Sequence, residues 1–167
     1  MPDPHDTLSI FAEVSIALVG FSGIAIAIGH RPLGSLTPLE SRRLFNLFTF
    51  PGLVLFLSLA AIALLHFGYL DEPVLWRSGS AILMVIGVPW LVLDWRKILR
   101  LDASERAQVN GYVVYPFTAL ALITLALQLG NVMWWAEAWI FFMAMVMQLL
   151  FAFQQFVSLV ITGLRRA

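Results

Sequence analysis

Five long, mostly apolar stretches constrain this chain more than any other feature. They run from about Leu8 to Gly29, Leu44 to Phe67, Val74 to Leu93, Tyr112 to Leu129 and Val132 to Gly163. A helix needs roughly 20 mostly apolar residues to cross the hydrocarbon core of a bilayer. The runs are continuous rather than alternating, which favours helices over barrel strands. Composition agrees: 60% of the 167 residues are apolar and 12% are charged, where a soluble domain carries roughly 25% charged residues. Water could not be the solvent for so much apolar surface. The expected fold is therefore all-α, a single integral membrane bundle of five transmembrane helices with the lipid bilayer as its main partner.

The same figures exclude a soluble enzyme and a nucleic-acid reader. Ten basic and ten acidic residues cancel, so no bulk electrostatic partner is implied. The chain has no cysteine, which excludes disulfides, thiolate metal sites, iron–sulfur clusters and covalent c-type haem. No cofactor is implied.

Helix ends carry their own signals. Thr37-Pro38-Leu39-Glu40 reads as a capping box with proline at the first helical position. Asn110-Gly111 marks the start of the fourth span, and Gly130-Asn131 reads as a tight turn joining the last two spans into a hairpin. Arg31, Arg42 and Arg43 lie between the first two spans, Arg96, Lys97, Arg100 and Arg106 between the third and fourth, and Arg165 and Arg166 at the end. Nine of the ten basic residues thus share one side, and Arg77 alone lies on the other. The positive-inside rule then places the amino terminus outside and the carboxyl terminus in the cytoplasm. The segment before the first span has no basic residue, so it does not read as a signal peptide. A bacterial inner membrane is the expected location.

Aromatic residues fall near both boundaries: Tyr69, Trp76, Trp134, Trp135 and Trp139 outside, Trp90, Trp95, Tyr112 and Tyr115 inside. That is the expected double belt. The stretch from Trp95 to Leu101 separates Arg96, Lys97 and Arg100 from Trp95, Ile98 and Leu99. It could lie along the cytoplasmic headgroups and attract anionic lipid, with ordinary snorkelling anchors as the plainer reading.

Polar residues inside the spans fall on helical lines. In the fifth span Glu137, Ala144, Gln148, Gln155 and Thr162 lie within about 20° of one direction at 100° per residue. In the first span Asp6, Ser9, Glu13, Ala17, Gly20 and Ala27 form a second line. Ser80, Gly87 and Asp94 add a third, and Ala121, Thr124 and Gln128 a fourth. Such lines face either protein or water: as helix seams they use small residues for close approach and amides for hydrogen bonds, and as pathways they are hydrated. Glu13, His66, Gln128, Asn131 and Glu137 share the outer layer, where carboxylates and a histidine could bind a cation, relay protons or sense pH. The helix amino termini near Glu13 and Glu137 would stabilise carboxylates without any such role.

Other motifs carry less. Three scattered histidines, His5, His30 and His66, give no haem or metal pattern. Gly20-Phe21-Ser22-Gly23 spells the Gly-x-Ser-Gly of rhomboid-type intramembrane proteases, but no histidine lies at the depth of Ser22. Pro51, Pro89 and Pro116 fall in the cytoplasmic halves of the three middle spans and form a layer of potential kinks. The leading expectation is a small homo-oligomeric channel or transporter for an ion or small solute. One alternative is a non-catalytic subunit that docks a membrane partner or itself through these lines. The other is a lipid- or quinone-linked membrane enzyme, for which no convincing catalytic set is present.

Overall fold

The computed structural model describes residues 3–28, 37–68, 70–100, 102 and 111–164. Arg31, Arg106, Arg165 and Arg166 lie outside them, as do Tyr69, His30, Asn110 and the side chains of Ala27 and Thr162. The described chain is all-helical, with five long helices: α1 (Pro4–Ile28), α2 (Pro38–Phe67), α3 (Glu72–Leu99), α4 (Gly111–Gly130) and α5 (Ala138–Leu164). A π-helical turn, Asn131–Trp135, extends α4. Four stretches are long and apolar enough to cross a membrane: Pro4–Gly23, Pro38–Phe67, Gly111–Trp135 and Ala138–Ile161. The remaining helix, α3, is 28 residues long and carries Glu72 and Arg77 near one end and Asp94, Arg96 and Lys97 near the other.

The capping box forms as its spacing requires. The Glu40 amide donates to Thr37 Oγ1 at 3.2 Å, and the Thr37 amide donates to Glu40 Oε2 at 3.0 Å. Gly68 closes α2 in the left-handed conformation, φ 62°, which glycine adopts without steric cost. Helix α4 begins at Gly111, so Pro116 sits inside it, as Pro51 and Pro89 sit inside α2 and α3.

The chain forms two compact units. One comprises residues 1–69 with 148–167, the other residues 70–147. In the first, α1 packs along α2. Their buried faces follow three- and four-residue steps: Leu8, Phe11, Ala12, Ser15 and Ser22 on α1, and Leu47, Pro51, Val54, Ser58 and Ala61 on α2. Phe50 of α2 meets Phe151 of α5 with ring centroids 5.8 Å apart. In the second unit α3 packs on α4 and on the π turn. Trp76 is buried between Phe141 and Phe142, at 5.8 and 5.6 Å between ring centroids. A Cβ on Gly79 would stand 2.7 Å from Phe141 Cε2, so only glycine admits that ring.

Three boundary expectations are corrected. Gly130-Asn131 is not the turn of the last hairpin. Gly130 is right-handed helical, φ −59° and ψ −37°, and its lack of a side chain makes room for the Trp135 ring, two of whose atoms would lie 2.8 Å from a Cβ there. The chain reverses instead around Ala136, so the residues from Val132 to Trp135 extend α4 and the last helix starts at Ala138. Trp76 belongs to the packed interior rather than to an aromatic belt; Trp134, Trp135 and Trp139 are exposed as a belt requires. The stretch from Trp95 to Leu99 is the last part of α3, which continues past the expected end of the third span at Leu93.

Candidate functional site

The polar residues sort into three arrangements. The first is a corner in the second unit built on Asn131, whose side chain is fully buried. Asn131 Nδ2 donates to Ser80 Oγ at 2.8 Å and to the Glu137 carbonyl at 3.1 Å, while Asn131 Oδ1 accepts from the Glu137 amide at 2.7 Å. The Ala136 amide donates to the Asn131 carbonyl at 3.1 Å. One amide side chain therefore ties α3 to the reversal that launches α5. Beside it Gln128, 1% exposed, donates Nε2 to the Ile140 carbonyl at 2.6 Å. Its Oε1 is buried with no partner.

Gln128, Asn131 and Glu137 share the outer layer by sequence depth; in this unit Asn131 bonds the Glu137 backbone, while Gln128 bonds Ile140 instead. Glu137 takes part through its backbone only; its residue is exposed and precedes the helix. It is therefore not the first member of a helical line. Ser80, seen in the sequence only as a member of a seven-residue repeat, is the cross-helix partner. Gly87, of the same repeat, would place a Cβ 3.3 Å from Leu125. These features are those of a helix seam, with small residues for approach and amides for hydrogen bonding.

The second arrangement is the inward line of α5 in the first unit. Ala144, at the end of the other unit, is 4% exposed, and its line continues through Gln148 and Gln155, both half-buried. Gln148 Oε1 is buried without a partner. About two turns further, Gln155 Nε2 donates to Gln154 Oε1 at 2.6 Å and Gln154 Nε2 donates to Ser158 Oγ at 3.0 Å. On α2 of the same unit the Ser58 hydroxyl is fully buried and also unpartnered. An unsatisfied buried polar atom costs roughly 1–3 kcal/mol, and among the described residues these two oxygens and Gln128 Oε1 have no protein partner. Gln154, Ser158 and Ser58 were not singled out by phase. The four-residue spacing of Gln154 and Ser158, and the seven-residue step from Pro51 to Ser58, were the available signals.

The third arrangement is the outer face of α1. Glu13, Ala17 and Gly20 are exposed, while Leu8, Ala12, Ser15 and Ser22 are buried against the rest of the unit. At 100° per residue the two sets lie on roughly opposite sides of the helix. The line containing Glu13 thus points away from the α1–α2 seam, whereas on α5 Ala144 is buried and Gln148 and Gln155 are half-buried. Ser15 and Ser22 donate to the carbonyls of Phe11 and Leu18 at 2.7 and 2.6 Å, so the Ser22 hydroxyl of the Gly-x-Ser-Gly tetrad is held by its own helix.

His66 is exposed on the last turn of α2, edge-on to Phe67 at 5.3 Å. Arg96, Lys97 and Arg100 are exposed at the end of α3, where Trp95 stacks on Tyr115 of α4 at 6.3 Å. Pro51 is buried in the first unit, and Pro89 and Pro116 are exposed in the second. Among the described residues no cluster of three or more His, Asp or Glu could hold a metal ion. Comparison with protein families, curated proteins and solved structures finds no match to this chain.

Proposed function

We propose that the protein is a five-span membrane protein, amino terminus outside, that moves a cation or small polar solute past the inward line of α5. Helix α3 is the fifth span in this reading. Its 28 residues reach roughly 42 Å at 1.5 Å per residue, enough to cross with both charged ends in the headgroups. The observation that carries the solute path is Gln148 Oε1: a buried carbonyl without a donor, on a line that continues into the Gln155–Gln154–Ser158 relay.

Flux from purified protein in liposomes tests this directly. The parent should carry one of several cations or small solutes above the level of empty vesicles. Gln148→Leu, which keeps the volume and removes both polar atoms, should cut that flux about tenfold or more. Parent vesicles no leakier than empty ones across ions and pH values would refute the reading. The threading is tested separately, because the chain lacks cysteine and any introduced thiol is unique. Asp71→Cys should react with a membrane-impermeant maleimide from outside, and Arg100→Cys only after permeabilisation. Labelling of both from one side would remove α3 from the set of spans.

A further inference from the structure

Asn46 of α2 is 4% exposed, and among the described residues its side chain makes no hydrogen bond. It stands one turn before Phe50, about 40° away in helical phase. Phe50 meets Phe151 of α5 within the first unit, so Asn46 shares the α2 face turned toward α5. In the five-span threading α2 runs outward and α5 inward. Asn46 and Gln155, each four residues to the inner side of its phenylalanine, then lie at one level, roughly 6 Å inward of the aromatic pair. Gln148 lies three residues, roughly 4.5 Å, to the outer side of Phe151. The Gln148 carbonyl that lacks a donor and the unbonded Asn46 amide therefore flank the two rings.

Charge narrows what such a line accepts. Residues 44–65 and 148–164 contain no Asp, Glu, Lys or Arg. Glu13 of α1 is exposed, on the side of its helix away from the α1–α2 seam. At the inner end of α2 stand Arg42 and Arg43, both half-buried, against one carboxylate, Glu40, whose Oε2 accepts from the Thr37 amide. A cation would meet no carboxylate along the line, two phenyl rings at its middle and two arginines at its inner end. An ion that sheds water in a membrane needs charges or a ring of oxygens to replace it. Asn and Gln amides instead offer donors and an acceptor together, the complement of a neutral molecule that carries both.

We infer that the solute on this line is small and uncharged and carries both hydrogen-bond donors and acceptors, as a polyol or a urea-type amide does, and that Asn46 binds it on the inner side of the Phe50–Phe151 pair. The inference rests on the proposed path and on the five-span threading. It narrows the path by excluding the cation, and it adds a residue of α2 to a line otherwise drawn on α5.

Proteoliposomes of the full chain test it in two assays: light scattering after a gradient of glycerol or urea, and a trapped fluorescent indicator after a gradient of potassium or sodium ions. The parent should admit glycerol or urea at least about fivefold faster than empty vesicles, and the ions no faster than empty vesicles do. Asn46→Leu should cut the neutral flux about fivefold or more. It should leave the thermal midpoint in detergent unchanged or higher, because the amide it removes bonds to nothing in the protein. Asn46→Asp sets a carboxylate at the same level and should admit potassium ions that the parent excludes. Ion flux without neutral flux in the parent would overturn the inference and leave the path standing. Vesicles tight to every solute would refute the path and the inference together. Three results would remove Asn46 from the line: neutral flux that falls in Gln148→Leu but not in Asn46→Leu, a midpoint that falls with the flux in Asn46→Leu, or an Asn46→Asp variant as tight to potassium ions as the parent.

Discussion

Asn131 satisfies two helices and a chain reversal from one buried side chain. Its amide spends both donor and acceptor on groups that have no other use, Ser80 Oγ and the Glu137 backbone. Replacement by alanine leaves the buried Ser80 hydroxyl and the part-buried Glu137 amide without these partners. Each such loss costs about 1–3 kcal/mol in proteins generally, and hydrogen bonds between membrane helices are worth about 0.6–2 kcal/mol. Asn131→Ala should therefore lower stability by about 2–3 kcal/mol, read as a fall in the thermal or denaturant midpoint in detergent. Ser80→Ala removes only one partner and should cost about 1 kcal/mol or less. Equal loss in the two variants would show that Asn131 does not organise the corner. The sequence placed Asn131 at the right level but assigned it to a turn, because Gly-Asn is a turn signal wherever the local chain alone decides. Here a residue distant in sequence decides: Ser80.

The corner is also where element boundaries depart most from the sequence pattern. Gly130-Asn131 reads as the turn, yet the left-handed position is Ala136, φ 57° and ψ 40°, while Gly130 leaves space for the Trp135 ring. A side chain in the left-handed region costs roughly 1–2 kcal/mol, held in place by the Asn131 bonds on both sides of it. Ala136→Gly should accordingly raise stability, by up to about 1 kcal/mol once glycine's greater unfolded-state entropy is deducted. A midpoint that falls would show that the Ala136 methyl contributes packing worth more than the backbone strain. By contrast, the capping box at Thr37 and the helix start at Gly111 were fully legible, since each depends on residues within four positions. The buried face of α5 was legible for a similar reason: its apolar bulk fixes which side packs. On α1 the polar line could be read but not its direction, because small residues suit a packed seam and an exposed face equally, and only the packing of Leu8, Phe11 and Ser15 on the inner side decides between them.

At the scale of the whole molecule the exposed apolar residues are distributed along every helix, from Ile10 and Phe21 on α1 to Phe153 and Ile161 on α5. Lipid is the solvent that makes such a surface favourable. In the five-span reading the charges act mainly at the two faces of the bilayer, and the end of α3 is the densest basic site among the described residues. Arg96, Lys97 and Arg100 are all exposed there, above the Trp95–Tyr115 stack that anchors α3 to α4. Each basic residue near an anionic leaflet contributes about 1 kcal/mol, and the attraction fades within a Debye length of about 8 Å at physiological salt. Replacing all three by glutamine should lower the enrichment of anionic over zwitterionic lipid carried through purification by roughly one to two orders of magnitude at low salt, measured by mass spectrometry of the extracted lipid. At about 1 M salt, where the Debye length is near 3 Å, parent and variant should converge. Enrichment that persists in the variant would mean that the preference arises elsewhere on the chain; enrichment that persists in the parent at high salt would mean that headgroups are held by specific hydrogen bonds at α3 rather than by the field of its basic end.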